Sequence, residues 1–349
     1  MKKKVISILL VLFVLTACSP KATSEDSISL MTWGGDFIPR EIINDFEKET
    51  GIKVNYKEVQ SNEDMQSLLE TSGDQYDLAV VTDYMVDILR QNGNLHKIDE
   101  SKLENFKNIN PNYQGNYYDE SNEYSIPYAI STALLLVNPD AVAEKNAKAI
   151  TSYEDLWQDE LKDSLVMIDG AVEVMGIVSK ALDLEVNSVK QEDQDAVREK
   201  LFALRPNIHR FETNTPEDSL LNKEAVAGFM YSNQVYKAIE QDDSLEAVFA
   251  TEGTPIYIDS FVISKDAPNL EGTHKFLDYI MKPEVAARIA EITKFTSANE
   301  KAVDFLSDEF KENPIMTLSD EVSSKTFFYT GLEKVLEDYD FIYSELKMQ

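Results

Sequence analysis

From Ile28 onward, short apolar runs alternate with amphipathic stretches, and this rhythm restricts the chain to an α/β architecture with a mainly parallel sheet. Ile28 to Trp33 reads as a strand. Beyond Gly34-Gly35, Pro39 stands where a helix starts, Ile42, Ile43 and Phe46 recur at helical spacing, and Gly51 supplies the stop. Ile52, Val54 and Tyr56 alternate as a second strand. Ser61 and Asp64 form an N-cap pattern ahead of Met65, Leu68 and Leu69, Tyr76 to Val81 returns to strand, and a helix runs from about Asp83 to Asn92.

The character changes around Tyr124 to Tyr128. Ala133 to Val137 is a nearly continuous apolar strand, so the chain is expected to cross into a second lobe here. Ser152 and Asp155 predict a capped helix holding Leu156 and a core Trp157. Leu165 to Ile168 reads as a strand, Ala171 to Leu182 as a helix, and Val226 to Tyr231 and Ala247 to Ala250 as further strands. Ile256 to Ile263 is a strand whose Tyr257, Asp259 and Ser260 break an apolar run, as a strand does when it crosses between lobes or lines a cleft. Helices over Leu270 to Met281 and Pro283 to Ile292 follow. A chain of 349 residues has room for two such units.

What precedes Ile28 is expected to stand outside the fold. Lys2, Lys3 and Lys4 lead into the apolar run Val5 to Leu15, too short to span a bilayer, and Leu15-Thr16-Ala17-Cys18 resembles a bacterial lipobox. The expectation is a signal peptide over residues 1–17 and a lipidated Cys18 with a flexible leash over 18–27, holding the protein on the outer face of a cell membrane, with a Gram-positive surface favoured. Cys18 is the sole cysteine, which excludes an intramolecular disulfide and a cysteine-built metal centre, and the three histidines at 96, 209 and 274 are widely spaced. No metal site is expected. With 33 basic residues against 63 acidic ones, the chain is electrostatically unsuited to nucleic acid.

The sequence holds no Gly-rich phosphate loop, no His-Glu-x-x-His helix and no nucleophile elbow, so neither a cofactor nor a catalytic residue is assigned. Tyr117-Tyr118 lies in a polar stretch that reads as a solvated loop. More telling are the aromatic and acidic residues where strands end, because those ends face the cleft in open α/β sheets. They are Trp33, Thr82, Tyr84, Asp169, Tyr231, Tyr257 and Asp259. Rings that stack on methylenes and attract ammonium groups, worth roughly 0.5 to 2 kcal/mol each, together with carboxylates that accept charge-assisted bonds, suit an organic cation.

The segments Trp33-Gly-Gly-Asp-Phe-Ile-Pro39, Phe46 to Val54, Ser61-Asn-Glu-Asp-Met65, Tyr76 to Asp87, Tyr124-Ser-Ile-Pro-Tyr128, Leu156-Trp157, Asp169 to Val174, Tyr257-Ile-Asp-Ser260 and Lys282-Pro-Glu284 together resemble the spermidine/putrescine-binding proteins of ABC importers. The resemblance spans nearly the whole chain beyond the leader. It implies a two-lobed periplasmic-binding-protein fold (type II, cluster D) with a ligand cleft between the lobes. Lobe 1 is expected over 28–131 plus 259–304, and lobe 2 over 132–258 plus 305–349. The family's ligand contacts fall on Trp33, Phe37, Thr82, Tyr84, Glu173, Tyr231, Tyr257, Asp259 and Phe295, with Asp169 beside Gly170, where some members carry Asp. Val172 stands where some members have Arg, Ile130-Ser131 replaces a common Trp-Gly, and the role of Tyr329 stays open. Asp36 and Asp83 are read as exposed loop acids at the cleft mouth. The implied partners are a polyamine (spermidine or putrescine) and the membrane subunits of an ABC permease, for a monomer that is not an enzyme. The alternatives are the same fold holding another small organic cation or an amino-acid-derived ligand, an exported carboxylate-pair hydrolase, and a ligand-free interaction lipoprotein.

Overall fold

The structure is a computed structural model, and it describes residues 27–34 and 37–348. The leader, Cys18 and Asp36 lie outside the described residues.

The strands are β1 (Ser27–Trp33), β2 (Lys53–Val59), β3 (Leu78–Thr82), β4 (Leu95–His96), β5 (Ser125–Val137), β6 (Leu165–Met167), β7 (Ile208–Phe211), β8 (Ala227–Tyr231), β9 (Glu246–Val248), β10 (Thr254–Ser264), β11 (Thr296–Ser297) and β12 (Thr326–Phe327). They form a sheet in the order β2-β1-β3-β10-β5-β8-β6-β7. Each end repeats one plan. Three mutually parallel strands, β2-β1-β3 or β7-β6-β8, are closed by one antiparallel neighbour, β10 or β5. Those two neighbours also pair with each other, so β5 and β10 belong to both halves.

Local chemistry explains the elements. The helix Arg40–Thr50 ends because Gly51 takes the left-handed conformation (φ 77°) and returns its amide to Glu47. Ser61 caps the helix Asn62–Ser72 by accepting from the Asp64 amide at 3.1 Å. Along β5, side chains alternate faces. Ala133, Leu135 and Val137 enter a core with Phe229, Met175 and Ile177, whereas Leu134 and Leu136 enter another with Met230, Val235 and Phe310. The opposite end has its own large core, built on β1, β3, the first half of β5 and the second half of β10.

Three features differ from the sequence reading. Strand β5 starts at Ser125, eight residues before the expected Ala133, and is buried throughout. Its register against β10 slips where Asp259 faces Ala129 and Ser260 faces Pro127, leaving Tyr128 as an extra residue. Second, Ser152 and Asp155 do bond reciprocally, but the turn they start, Glu154–Trp157, is a single 3-10 turn, and Trp157 is half-buried with its indole N–H on the Lys200 carbonyl. Third, Tyr117-Tyr118 is not solvated. Tyr118 is buried and Tyr117 packs edge-on against it, because the Asn- and Gly-rich loop folds down onto the first core. The helices Gln191–Leu204, Ser232–Gln241 and Leu336–Lys347 carried no expectation and complete the second half.

Candidate functional site

In the antiparallel register of β3 and β10, Asp259 faces Thr82. The threonine, at the end of β3, donates its hydroxyl to Asp259 Oδ1 at 2.9 Å, and the Trp33 indole N–H donates to the same oxygen at 3.3 Å. Asn62 fixes Thr82 in turn, accepting from its amide at 3.2 Å. Asp259 is only 7% exposed. Burial lifts its pKa to about 6, against the opposing pull of the Thr82 and Trp33 hydrogen bonds.

The facing wall comes from the second half. Glu173 lies in the first turn of the helix Ala171–Ala181 and folds back over Gly170 so closely that a Cβ there would collide with its carboxylate. Tyr231, at the end of β8, donates its hydroxyl to Glu173 Oε1 at 3.1 Å. Gln234 holds that junction by accepting from the Tyr231 amide at 3.0 Å. Burial raises the Glu173 pKa, its own amide and Tyr231 oppose the shift, and the charge of Glu63 adds to it.

Tyrosines line the space between. The rings of Tyr231 and Tyr257 meet at 5.6 Å, and those of Tyr257 and Tyr329 at 5.8 Å. Tyr329 rests on Gly176, where any side chain would strike its ring. Among the described residues, the buried hydroxyls of Tyr257 and Tyr329 have no hydrogen-bond partner. Tyr84 packs against both large cores, with its hydroxyl accepting from Asn62 Nδ2 at 2.7 Å and donating to Glu63 at 3.3 Å. Tyr257 and Asp259, two apart on β10, share one face of the strand.

The structure therefore brings Trp33, Thr82, Tyr84 and Asp259 together on one side and Glu173, Tyr231 and Tyr257 on the other. Phe37 and Phe295 stack at 5.0 Å and form a second aromatic group with Tyr128. Asp169 is turned to the C-terminal helix, accepting from the Tyr343 hydroxyl at 2.9 Å and pairing with Lys347 at 2.7 Å. Sequence reasoning passed over Glu63 and Asn62, although both stand within the Ser61-Asn-Glu-Asp segment already singled out.

Asp83 corrects the sequence reading outright. It is 2% exposed, not a loop acid at the cleft mouth, because it opens the helix Asp83–Gln91 directly beneath β10. Its Oδ2 accepts the Ile258 N–H at 3.0 Å and its Oδ1 accepts the Tyr117 hydroxyl at 2.7 Å. Burial pushes its pKa up to about 7, and the charge of Asp259 contributes. Three buried or half-buried carboxylates, Asp83, Glu173 and Asp259, thus crowd one region, and among the described residues none is ion-paired with Lys, Arg or His.

Comparison with known proteins identifies the family and the fold. Residues 41–317 match the model of the bacterial extracellular solute-binding proteins. The spermidine/putrescine-binding periplasmic protein of Salmonella typhimurium is 32% identical over 327 residues, which cover 93% of each chain. That of Haemophilus influenzae is 28% identical over 345 residues, 95% of each chain. Among solved structures, a Listeria monocytogenes chain assigned to a spermidine/putrescine ABC transporter superposes with a TM-score of 0.86 at 30% identity, covering 93% of this chain and 99% of that one. The spermidine/putrescine ABC transporter substrate-binding protein PotD of Streptococcus pneumoniae gives a TM-score of 0.80 at 28% identity over the same shares. The fold is that of the two-lobed periplasmic-binding proteins, and the chain belongs to the bacterial extracellular solute-binding protein family.

Proposed function

We propose that this protein captures a linear polyamine, spermidine or putrescine, in the cleft between its lobes and delivers it to the membrane subunits of an ABC importer. The observation that carries the reading is the set of acids without a counter-ion. Burying carboxylates without cations is costly, and a ligand that brings its own ammonium groups removes the cost. In this account Asp259 and Glu173 receive the amines. The faces of Trp33, Tyr84, Tyr231 and Tyr257 flank the methylene chain, and Thr82 orients Asp259. Phe37 and Phe295 close the apolar end. Asp169 acts at the rim, in exchange with Lys347. The names of the relatives support a polyamine over another organic cation.

Lobe 1 is taken as 28–131 plus 259–304, lobe 2 as 132–258 plus 305–349. Because β5 and β10 belong to both halves, closure is a bend of these two strands near Ala129 to Thr132 and Ile258. The protein works as a monomer without catalysis, on the outer face of the membrane through a lipid on Cys18. Thermal unfolding against putrescine, spermidine, spermine, agmatine, choline, basic amino acids and sugars tests the reading. A ligand at about 100 times its Kd adds roughly 2.7 kcal/mol of stability. A shift confined to polyamines supports it. A shift with choline or an amino acid alone transfers the site to another cation, and no shift with any compound removes the ligand.

A further inference from the structure

Asp83 is buried beneath β10, 2% exposed, and touches the strand that carries Tyr257 and Asp259. Its Oδ2 takes the amide of Ile258, the residue between Tyr257 and Asp259. Its Oδ1 takes the hydroxyl of Tyr117, whose ring is seated by Tyr118 at 5.4 Å and by Phe328, the neighbour of Tyr329, at 5.8 Å. One carboxylate therefore ties four elements together: the end of β3 through its own helix, the crossing strand β10, the 114–124 loop, and the C-terminal segment by way of Tyr117. Both of its oxygens accept: the ionised form holds both bonds as charge-assisted ones, a proton on Oδ2 breaks the bond from the Ile258 amide, which can only donate, and a proton on Oδ1 reverses the bond with the Tyr117 hydroxyl.

The location matters for movement. Ile258 is at the part of β10 shared by the two halves, where the register against β5 slips one residue further on. The ladder between β10 and β3 ends where Asp259 faces Thr82, so a free Ile258 amide would leave Tyr257 and Asp259 able to turn, and Asp83, the residue after Thr82, supplies the bond that β3 no longer does.

We propose that Asp83 is a positioning residue for the cation site: its carboxylate pins the Ile258 amide so that Tyr257 and Asp259 face the ligand together, and its charge couples capture to pH. The inference rests on the cation reading of the cleft. The charged and titratable groups facing Asp83 are Asp259 on β10, Tyr117 and Tyr118 on the loop, and the amides at the start of its own helix, including that of Tyr84. No cation is among them. Asp83 and Asp259 repel, and a bound ammonium group at Asp259 relieves the repulsion, so capture releases protons near neutrality.

The test compares wild type, D83N and Y117F. Spermidine affinity is measured by calorimetry from pH 5.5 to 8.5 in buffers of different ionisation enthalpy, which gives the number of protons released. Wild type should gain affinity up to about pH 7 and release protons on binding. D83N should bind about tenfold more weakly at pH 8 and show a smaller proton release. Y117F keeps the charge but loses a bond to the ionised form, so its profile should move to higher pH. D83N with wild-type affinity and an unaltered pH profile overturns the proposal. If wild type binds no polyamine, the functional reading fails, and unfolding of the unliganded proteins then decides. The stability gap of D83N over wild type should widen from pH 4 to pH 7, because ionising buried Asp83 destabilises only wild type. A gap independent of pH contradicts the role of its charge.

Discussion

Thr82 and Asp259 stand opposite each other across β3 and β10, and the threonine hydroxyl donates to the carboxylate at 2.9 Å. The ladder that joins two residues separated by 177 positions thus also orients the Asp259 carboxylate.

D259N should weaken spermidine binding tenfold or more, since it exchanges a charge-assisted bond for a neutral one. T82A should cost less and act through the acid. Losing the Thr82 bond raises the Asp259 pKa further, so the affinity profile of T82A should lie at higher pH than that of wild type. Calorimetric titrations at several pH values measure both effects.

The unliganded protein should be least stable where its cleft acids are ionised. Asp259 has a folded-state pKa raised to about 6 from an ordinary 3.8, so its ionisation disfavours the fold. The penalty is absent below about pH 4, grows as pH rises, and is complete above about pH 6. D259N should therefore unfold at higher temperature than wild type at pH 8, by the equivalent of up to about 3 kcal/mol, with the gap closing near pH 4. A gap that stayed constant with pH would show that the charge is not its source.

Gly170 and Gly176 are spaces occupied by other side chains. G170A should push Glu173 off the helix start and lower affinity while leaving unfolding almost unchanged, because Gly170 is at the rim with an ordinary backbone conformation. G176A forces the Tyr329 ring out of a packed interior and should cost about 1 to 3 kcal/mol of stability as well as affinity. Chemical denaturation alongside ligand titration separates the two outcomes.

Asp169 has a partner already. K347A removes its ion pair and leaves the Tyr343 hydroxyl bond, and if Asp169 serves the ligand at the rim, affinity should rise two- to fivefold in this variant and fall by a similar factor in D169N. Equal affinity in all three proteins would confine Asp169 to seating the C-terminal helix.

Much of this arrangement was legible in the chain because strand ends announce themselves. Trp33, Thr82 and Tyr231 each follow an apolar run, and the polar residues inside Ile256 to Ile263 mark a strand with one face in a cleft. Asp83 was misjudged because nothing beside it in sequence predicts its burial. Its partners, Tyr117 and Ile258, are 34 and 175 positions away. The same distance hid Tyr117-Tyr118, whose Asn, Gly and Asp neighbours look solvated. Ser125 to Thr132 escaped because Pro127 and two serines interrupt the apolar pattern in a strand whose hydrogen bonds come from β10.

The most direct test is a calorimetric titration of the purified protein with spermidine at pH 8 and low ionic strength, repeated with D259N and in high salt. One ligand per chain is expected, with at least tenfold loss in D259N and weaker binding in salt, which screens the attraction of an acidic cleft for a cation. Binding that neither D259N nor salt alters, or no binding at all, would contradict this expectation.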